Sequence, residues 1–445
     1  MKTSLKNVLN TTVDKLNTLG ADQCDVILSK GSSFSLSAQN GEIDKYKVSG
    51  AQVLGIRAIK NQKVGLAYTE SLDEDSIAIA SKAAIENALN SEVNKFESIV
   101  NESGDHFFES EFQKDGISTE DKIEFCLKLE EEVKRRDSRV QSVPYNGFSE
   151  AESSQYYLNS NNVFGFSSEY YQSCYTSALL QEGDESGMHY HGVIGRKLAD
   201  LDWKACVDES LGHASEWMKA DSLKTGHYDI IFEFDAFSEI LGCFSNIFSA
   251  KGAMEKTNPF ADKIGEKVAS DEFIIRDIPA YKDAFFKSHF DSEGFTHKDL
   301  TLIDGGILKS FYHNTATANF FKQSTTGHAS RGAKSALGIS GTTKVIEAGK
   351  TGDSEITNGS YFEVHSLQGL HSGANSVSGD FSFAAAGYLC RDGKRETPVK
   401  GVTVSGNFHK MLLDLKLIGD KIHSTEDRGF FAPKLRFERM SVAGK

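Results

Sequence analysis

The chain predicts an α+β fold: an N-terminal α/β domain over residues 1–222, with antiparallel strands and flanking helices, then a mostly antiparallel β-rich domain over 223–445. Three observations carry this expectation. The 445 residues exceed what one ordinary core organises. Up to about residue 220, apolar stripes at helical spacing alternate with runs of period two. From His227 onward, strand patterns joined by Gly-containing turns dominate.

Leu5, Val8, Leu9, Val13 and Leu16 form the first helical stripe, and Gly20 stands where such a helix stops. Cys24, Val26 and Leu28 then alternate, followed by Phe34, Leu36 and Ala38, with Asn40-Gly41 as a tight turn into Ile43. Val53 to Ile59 and Val64 to Tyr68 predict a hairpin across Asn61-Gln62-Lys63, and an Ala/Ile-rich helix runs from about Asp73 to Leu89. Residues 91–118 are acidic and irregular and read as a connection across the surface. A charged helix follows from Glu120 to Arg136, with Ile123, Cys126, Leu127 and Val133 inward. Strands are expected around Val140 to Val143 and Gln155 to Phe166, a strand pair within Ser167 to Leu180, and a helix from Trp203 to Met218.

In the second half, Tyr228 to Phe232 is a compact strand, and an apolar helix runs from about Ala236 to Phe248. Thr301 to Ile303 and Ile307-Leu308 form a hairpin about Asp304-Gly305-Gly306. The most organised stretch is Leu367 to Asn407. Its glycines sit at the ends of apolar segments, where a chain turns or another backbone approaches. Phe381, Phe383, Tyr388 and Leu389 read as strand, Asp392-Gly393 as a type I′ turn, and Val399, Val402 and Val404 as the return. Asn407 is placed to cap a helix carrying Met411, Leu412 and Leu415, closed by Ile418-Gly419.

Composition narrows the function classes. With 39% apolar residues, five prolines and a mean hydropathy of -0.37, the chain reads as globular and soluble. A formal charge of -14 argues against a nonspecific nucleic-acid binder. The basic run Lys134 to Arg136 closes an acidic helix and reads as a solvated end complementing the dipole. The first residues lack a signal-peptide apolar core, and no stretch approaches the ~20 apolar residues of a membrane span, so a cytoplasmic protein without membrane contact is expected. Six scattered cysteines without a C-x-x-C pair fit reduced core thiols.

Few residues suggest chemistry directly. His189-Tyr190-His191 puts two imidazoles on one side of a strand but lacks a spaced third ligand. Gly349-Lys350-Thr351 ends like a phosphate loop, yet Lys344 stands where its first glycine is required. Glu233, Asp235 and Glu239 cluster at a strand end and first helical turn, where carboxylates complement the dipole. Cys243 reads as a small buried thiol. There is no Gly-x-Ser-x-Gly elbow.

The block Gly373, Asn375, Val377, Ser378, Gly379, Asp380, Phe381 and Ser382, followed by Pro398-Val399 and Ser405-Gly406-Asn407, closely resembles the C-terminal signature of the TldD/PmbA family, the so-called modulators of DNA gyrase. The ending, Pro433 to Arg436 and Val442 to Lys445, resembles that family too, as do Asp291-Ser292-Glu293-Gly294, Asn40-Gly41-Glu42 and the hairpin from Gly55-Ile56-Arg57 to Val64-Gly65. The resemblance implies a cytoplasmic peptidase assembly. In its TldD branch a helix carries His-Glu-x-x-x-His and a downstream Cys completes a zinc site, the Glu serving as general base. The matching helix here runs from Ala236 to Phe248 and holds no histidine. The two His positions fall at Gly242 and Ile247, and the Glu position at Cys243.

The resemblance is therefore to the PmbA (TldE) branch. It implies a chain with no catalytic or metal-binding residue of its own and no cofactor. The expected partner is a zinc-bearing TldD-type homologue, joined as a heterodimer, with a homodimer as the form taken alone. The expected substrates are unfolded or extended peptides, as in microcin maturation and antitoxin degradation. Asn375, Asp380, Ser382 and Asn407 are the candidate chamber-facing or partner-facing residues, with tight turns and a helix cap as their plainer role. The rival expectations are an autonomous metallopeptidase with displaced ligands and a non-enzymatic gyrase-modulating binder.

Overall fold

The structure, a computed structural model, describes residues 2–101, 105–109 and 114–445. Its first half holds α1 (Lys2–Thr18), β1 (Gln23–Gln39), β2 (Glu42–Lys60), β3 (Lys63–Thr69) and α2 (Glu74–Asn90). These are followed by β4 (Asp105–Glu109), α3 (Thr119–Arg136), β5 (Val140–Ser142), β6 (Asn146–Asn159), β7 (Phe164–Glu182), β8 (Glu185–Gly195) and α4 (Trp203–Met218). The strands form one sheet in the order β3-β2-β1-β6-β7-β4, with β5 and β8 also on β7.

The period of two decides what each face of this sheet meets. Cys24, Val26, Leu28, Phe34, Leu36 and Ala38 of β1 all point to one face. There α1 and α2 cover one end with Leu9, Val13, Leu16 and Ile77, and α3 and α4 cover the other with Cys126, Leu129, Val133 and Val207. Asp25 and Ile27 point to the opposite face, which carries the second half of the chain. Gly55 and Gly165 are small for this reason. A Cβ on Gly55 would lie 2.0 Å from the Ala333 carbonyl oxygen, and one on Gly165 2.5 Å from the Phe290 ring.

The second half opens with β9 (Gly226–Phe232), α5 (Phe234–Cys243) and α6 (Ala250–Met254). Short strands and helices follow: β10 (Ile275–Asp277), β11 (Leu300–Asp304), β12 (Ile307–Leu308), α7 (Thr315–Phe321), β13 (Ala329–Ser330), β14 (Gly338–Ile339), β15 (Lys344–Ile346) and α8 (Asp353–Ile356). The last elements are β16 (Ser360–Gln368), α9 (Leu370–Gly373), β17 (Asp380–Arg391), β18 (Lys394–Asn407), α10 (Phe408–Leu413), β19 (Leu417–Ser424) and β20 (Phe430–Ala443). Because β20 pairs with both β18 and β9, the ring β9-β16-β17-β18-β20 closes on itself. Closure removes the exposed edges these strands would otherwise leave. Phe232, Phe362, Phe383, Val404 and Phe437 fill its core together with Phe237 and Ile240 of α5.

The α+β class holds, with antiparallel pairing dominant in both sheets. Four local expectations need correction. The described part of 91–118 is more than a surface connection, since β4 adds parallel to β7 and Ile99 and Val100 are buried. Gln155 to Phe166 contains a turn, made by Ser160 to Val163, because Asn159 accepts amide hydrogens from Asn161 and Val163. Ser167 to Leu180 lies within one long strand that pairs on both sides, with β6 and β8. The helix after Asn407 stops at Leu413, and Ile418-Gly419 belongs to β19, whose ladder with β20 wins over helical continuation. Among the described residues no helix is long and apolar enough to cross a membrane.

Candidate functional site

Helix α5 begins at Glu233, whose carboxylate accepts the Asp235 amide hydrogen as an N-cap. It ends at Cys243, and a short 3-10 turn, Ser245–Phe248, continues the chain in a new direction. At its C-terminal end Gly242 is open, with nothing within 4 Å of where a Cβ would stand. Ile247 is the opposite case, with an exposure of 0% inside the core. An imidazole at position 242 would have room, whereas position 247 presents a core aliphatic. Cys243 is half-buried, and burial raises its thiol pKa. Among the described residues, no three His, Cys, Asp or Glu side chains converge as a metal's ligand set would. The residues present therefore do not fit a zinc site on this helix.

The candidate residues of the Gly-rich block do converge. Asn375 accepts at Oδ1 from the amides of Val377 (3.0 Å) and Ser378 (3.1 Å). The Ser378 hydroxyl donates to Asp380 Oδ2 at 2.8 Å. Asn407 donates from Nδ2 to Asp380 Oδ1 and to the Ser378 carbonyl, both at 2.8 Å, while its Oδ1 caps α10 by accepting from Lys410. Asp380 is exposed, and the hydrogen bonds from Asn407 and Ser378 hold its carboxyl below the usual range. Gly379 has φ 84° and packs on His409, where a Cβ would fall 2.7 Å from Nδ1. Ser382 stands two pairs further along the ladder, opposite Ser405, and is exposed. Asn375, Asp380 and Ser382 line an open groove of about 590 Å³ with Ser372, Gly373 and Phe381. The turn is thus pre-ordered by its own polar groups and presents the Val377 side chain, 57% exposed, at its tip.

The remaining candidates are structural. His189 and His191 of β8 stand opposite Ala178 and Thr176 of β7, on the face that α4 covers. His191 pairs with Glu426 at 2.9 Å, and His189 lies against His213, their ring centroids 4.7 Å apart. Gly349 and Thr351 bond the backbone of Gly419 and Ile418, and the helix after them has four residues, so no phosphate cradle forms. Asp235, half-buried beside Glu233, Glu426 and Asp427, is pushed up to about 7, chiefly by desolvation. Lys134, Arg135 and Arg136 each meet a carboxylate, from Glu130, Glu132 and Asp208.

Two clusters escaped sequence reasoning. The first is a buried ion network between the two halves. Arg57 donates from Nε to Asp25 (2.8 Å), from Nη1 to Glu97 (3.2 Å) and from Nη2 to Glu293 (3.1 Å), and Arg331 reaches the other Asp25 oxygen at 2.6 Å. Glu293 Oε2 also accepts the first amide of α7 at 2.9 Å. The Asp-x-Glu-Gly element is therefore a clamp: Asp291 folds the turn by accepting from Glu293, Phe295 and Ala329, and Glu293 crosses to the first sheet. The second cluster gathers His189, His213 and His365 with Tyr388, Glu209, Glu216, Glu363 and Arg395. His213 meets the Tyr388 hydroxyl at 2.5 Å and Glu209 at 3.1 Å, and His365 bonds Glu363 at 2.7 Å.

Comparison with known proteins agrees with this architecture. Residues 24–88 match the PmbA/TldA metallopeptidase domain 1, residues 113–214 its central domain and residues 225–444 its C-terminal domain. The chain is 24% identical to the metalloprotease PmbA homolog of Haemophilus influenzae, with 99% of this chain and 96% of that one aligned. It is 22% identical to the metalloprotease PmbA of Escherichia coli O157:H7, over 91% and 89% of the two chains. In fold it is similar to TldE from Thermococcus kodakarensis, with a TM-score of 0.85 at 20% identity over 99% of this chain and 100% of that one. It is equally similar to a candidate modulator of a DNA gyrase from Thermotoga maritima, with a TM-score of 0.86 at 22% identity over 99% and 100%. Matched in order along nearly its whole length by all three domains, the chain belongs to the PmbA/TldD metallopeptidase family.

Proposed function

We propose that this chain is the metal-free, PmbA (TldE)-type subunit of a two-subunit metalloprotease that cleaves unfolded or extended peptides. The supporting observation is α5. Where the zinc-bearing branch is expected to carry its imidazole pair, this chain offers an open Gly242 on α5 and a core Ile247 in the 3-10 turn after it. A tetrahedral zinc needs three protein ligands with a fourth position left for water, and this helix provides no imidazole toward them. The chain's contribution is then to bind: it supplies walls and docking surface to a TldD-type homologue that holds the ion. The pre-ordered turn of Asn375, Ser378, Asp380 and Asn407 suits that task, because a surface already fixed by its own hydrogen bonds loses little freedom on association. Cytoplasmic residence and microcin-like or antitoxin-like substrates belong to the same proposal.

The test is co-purification of the tagged chain with a homologue carrying His-Glu-x-x-x-His, followed by peptide cleavage by each chain alone and by both together. Cleavage restricted to the mixture supports the proposal. Cleavage by this chain alone, or recovery of gyrase without any zinc-bearing homologue, would sink it.

A further inference from the structure

We infer that Cys174 and Cys206 are a modification site: a thiol pair that a peroxide oxidises to a disulfide, bolting α4 to β7. The two sulfurs lie 4.0 Å apart, and Cys206 Sγ also stands 3.9 Å from the Cys174 carbonyl oxygen. Closing that gap to a disulfide length of about 2.05 Å asks each sulfur to move about 1 Å, within reach of small side-chain rotations. Cys174 belongs to β7, flanked by Phe148 of β6 and Val193 of β8, and Cys206 to the first turn of α4, behind its Asp202 cap. Both are buried in the core that also holds Cys126 of α3. The Cys126 sulfur instead accepts from Asn146 Nδ2 at 3.7 Å, so the contact selects Cys206 as the partner of Cys174.

The surroundings divide the roles. A thiol in the first turn of a helix is favoured as thiolate. The hydrogen bond with Cys174 lowers the Cys206 thiol pKa, against burial, and the nearby His191 imidazole lowers it further. His191 is itself oriented by Glu426 at 2.9 Å and keeps 16% of its side chain open to solvent. Cys206 is therefore the attacking sulfur. It breaks the O–O bond of the peroxide and becomes a sulfenic acid, while its proton leaves with the displaced hydroxide as water. The Cys174 thiol then attacks that sulfur, the S–O bond breaks, and the second hydroxide leaves with the Cys174 proton as water. Two electrons have passed from the thiols to the peroxide. Exposures of 1% and 0% keep the pair reduced at rest, so the reaction waits on local opening at the start of α4. The product joins residues 32 positions apart and pins the helix that carries His213, Glu216 and Trp217 against Tyr388.

The experiment treats the folded full chain, reduced beforehand, with hydrogen peroxide at a dose that fully oxidises the half-buried Cys243. Remaining thiols are alkylated, and the chain is mapped by mass spectrometry under non-reducing conditions. The Cys174 and Cys206 peptides are expected to be joined, and dithiothreitol to separate them. The Tm of the oxidised wild type is expected to rise by about 5 °C and to fall back on reduction, since the bond constrains the unfolded chain. Cys174→Ala and Cys206→Ala, each compared with its own reduced form so that a less stable variant still reports, are expected to show no rise. Separate Cys174 and Cys206 peptides once Cys243 is oxidised, a bond from either cysteine to Cys126 instead, or an equal rise in Cys206→Ala would overturn the inference.

Discussion

Arg57 donates to Glu293 across 3.1 Å, and with side-chain exposures of 1% each, the two groups form a dry ion pair that joins residues 236 positions apart. Arg57 belongs to the first sheet and Glu293 to the loop ahead of α7, so the pair ties the two halves of the chain together. Removing one member of a buried pair strands the other, at a cost of about 3–5 kcal/mol. Glu293→Gln and Arg57→Met are each predicted to lower stability by that order, read as a drop in the urea midpoint. A loss below about 1 kcal/mol, the usual scale of an exposed pair, would contradict the buried assignment.

The two positions on and after α5 should respond oppositely to histidine. Gly242→His has open space and is predicted to fold near wild-type stability, whereas Ile247→His buries a polar ring in a packed core at about 3 kcal/mol. Thermal unfolding of the two variants side by side checks this. Equal stability would mean that Ile247 does not hold the core position described.

The histidine seam should open in acid. Burial, then the neighbouring His213, His191 and His365, pushes His189 down to about 3. A base whose folded pKa lies below its unfolded value of about 6.5 binds more protons when unfolded. Its contribution is therefore present above that value and is lost as pH falls from about 6.5 toward 3. Trp217 stacks on Tyr388, ring centroids 5.3 Å apart, and lies beside His213 at 6.2 Å, so its fluorescence reports the seam. In a Trp203→Phe background the signal should change across that acid range, and His189→Gln should flatten the change. An unaltered titration in the glutamine variant would remove His189 as its source.

Asn407 serves the Gly-rich turn and the α10 cap at once. Asn407→Ala is predicted to cost about 1 kcal/mol for the cap alone. Ser382→Ala, which alters an exposed hydroxyl in the groove, should leave stability within about 0.5 kcal/mol. Urea denaturation of both variants separates the structural residue from the surface one. Under the proposed function, weaker capture of the homologous subunit by Asn407→Ala would accompany the lost cap.

What the sequence revealed follows from the range of each interaction. The periods of two and 3.6 record which face a neighbour covers, so β1 was legible down to Phe34, Leu36 and Ala38. Asn61 and Gln62, both at positive φ, show the tight turn expected of that hairpin. Asn407 was legible as a cap because its partner, the Lys410 amide, is three residues away. Strand β4 was not, since five residues on a parallel edge take their identity from β7 rather than from their own pattern. The clamp was half visible: Asp291-Ser292-Glu293-Gly294 and Arg57 each stood out, but nothing local says that they meet. The seam of His189, His213 and His365 was hidden for the same reason, its members lying on β8, α4 and β16.

The most direct measurement is the zinc content of the isolated chain, purified without chelators, by inductively coupled plasma mass spectrometry together with a peptide-cleavage assay of the same sample. The proposed metal-free subunit predicts no stoichiometric zinc and no cleavage until a homologue bearing His-Glu-x-x-x-His is added. One zinc per chain, with cleavage abolished by chelation and restored by the metal, would contradict it.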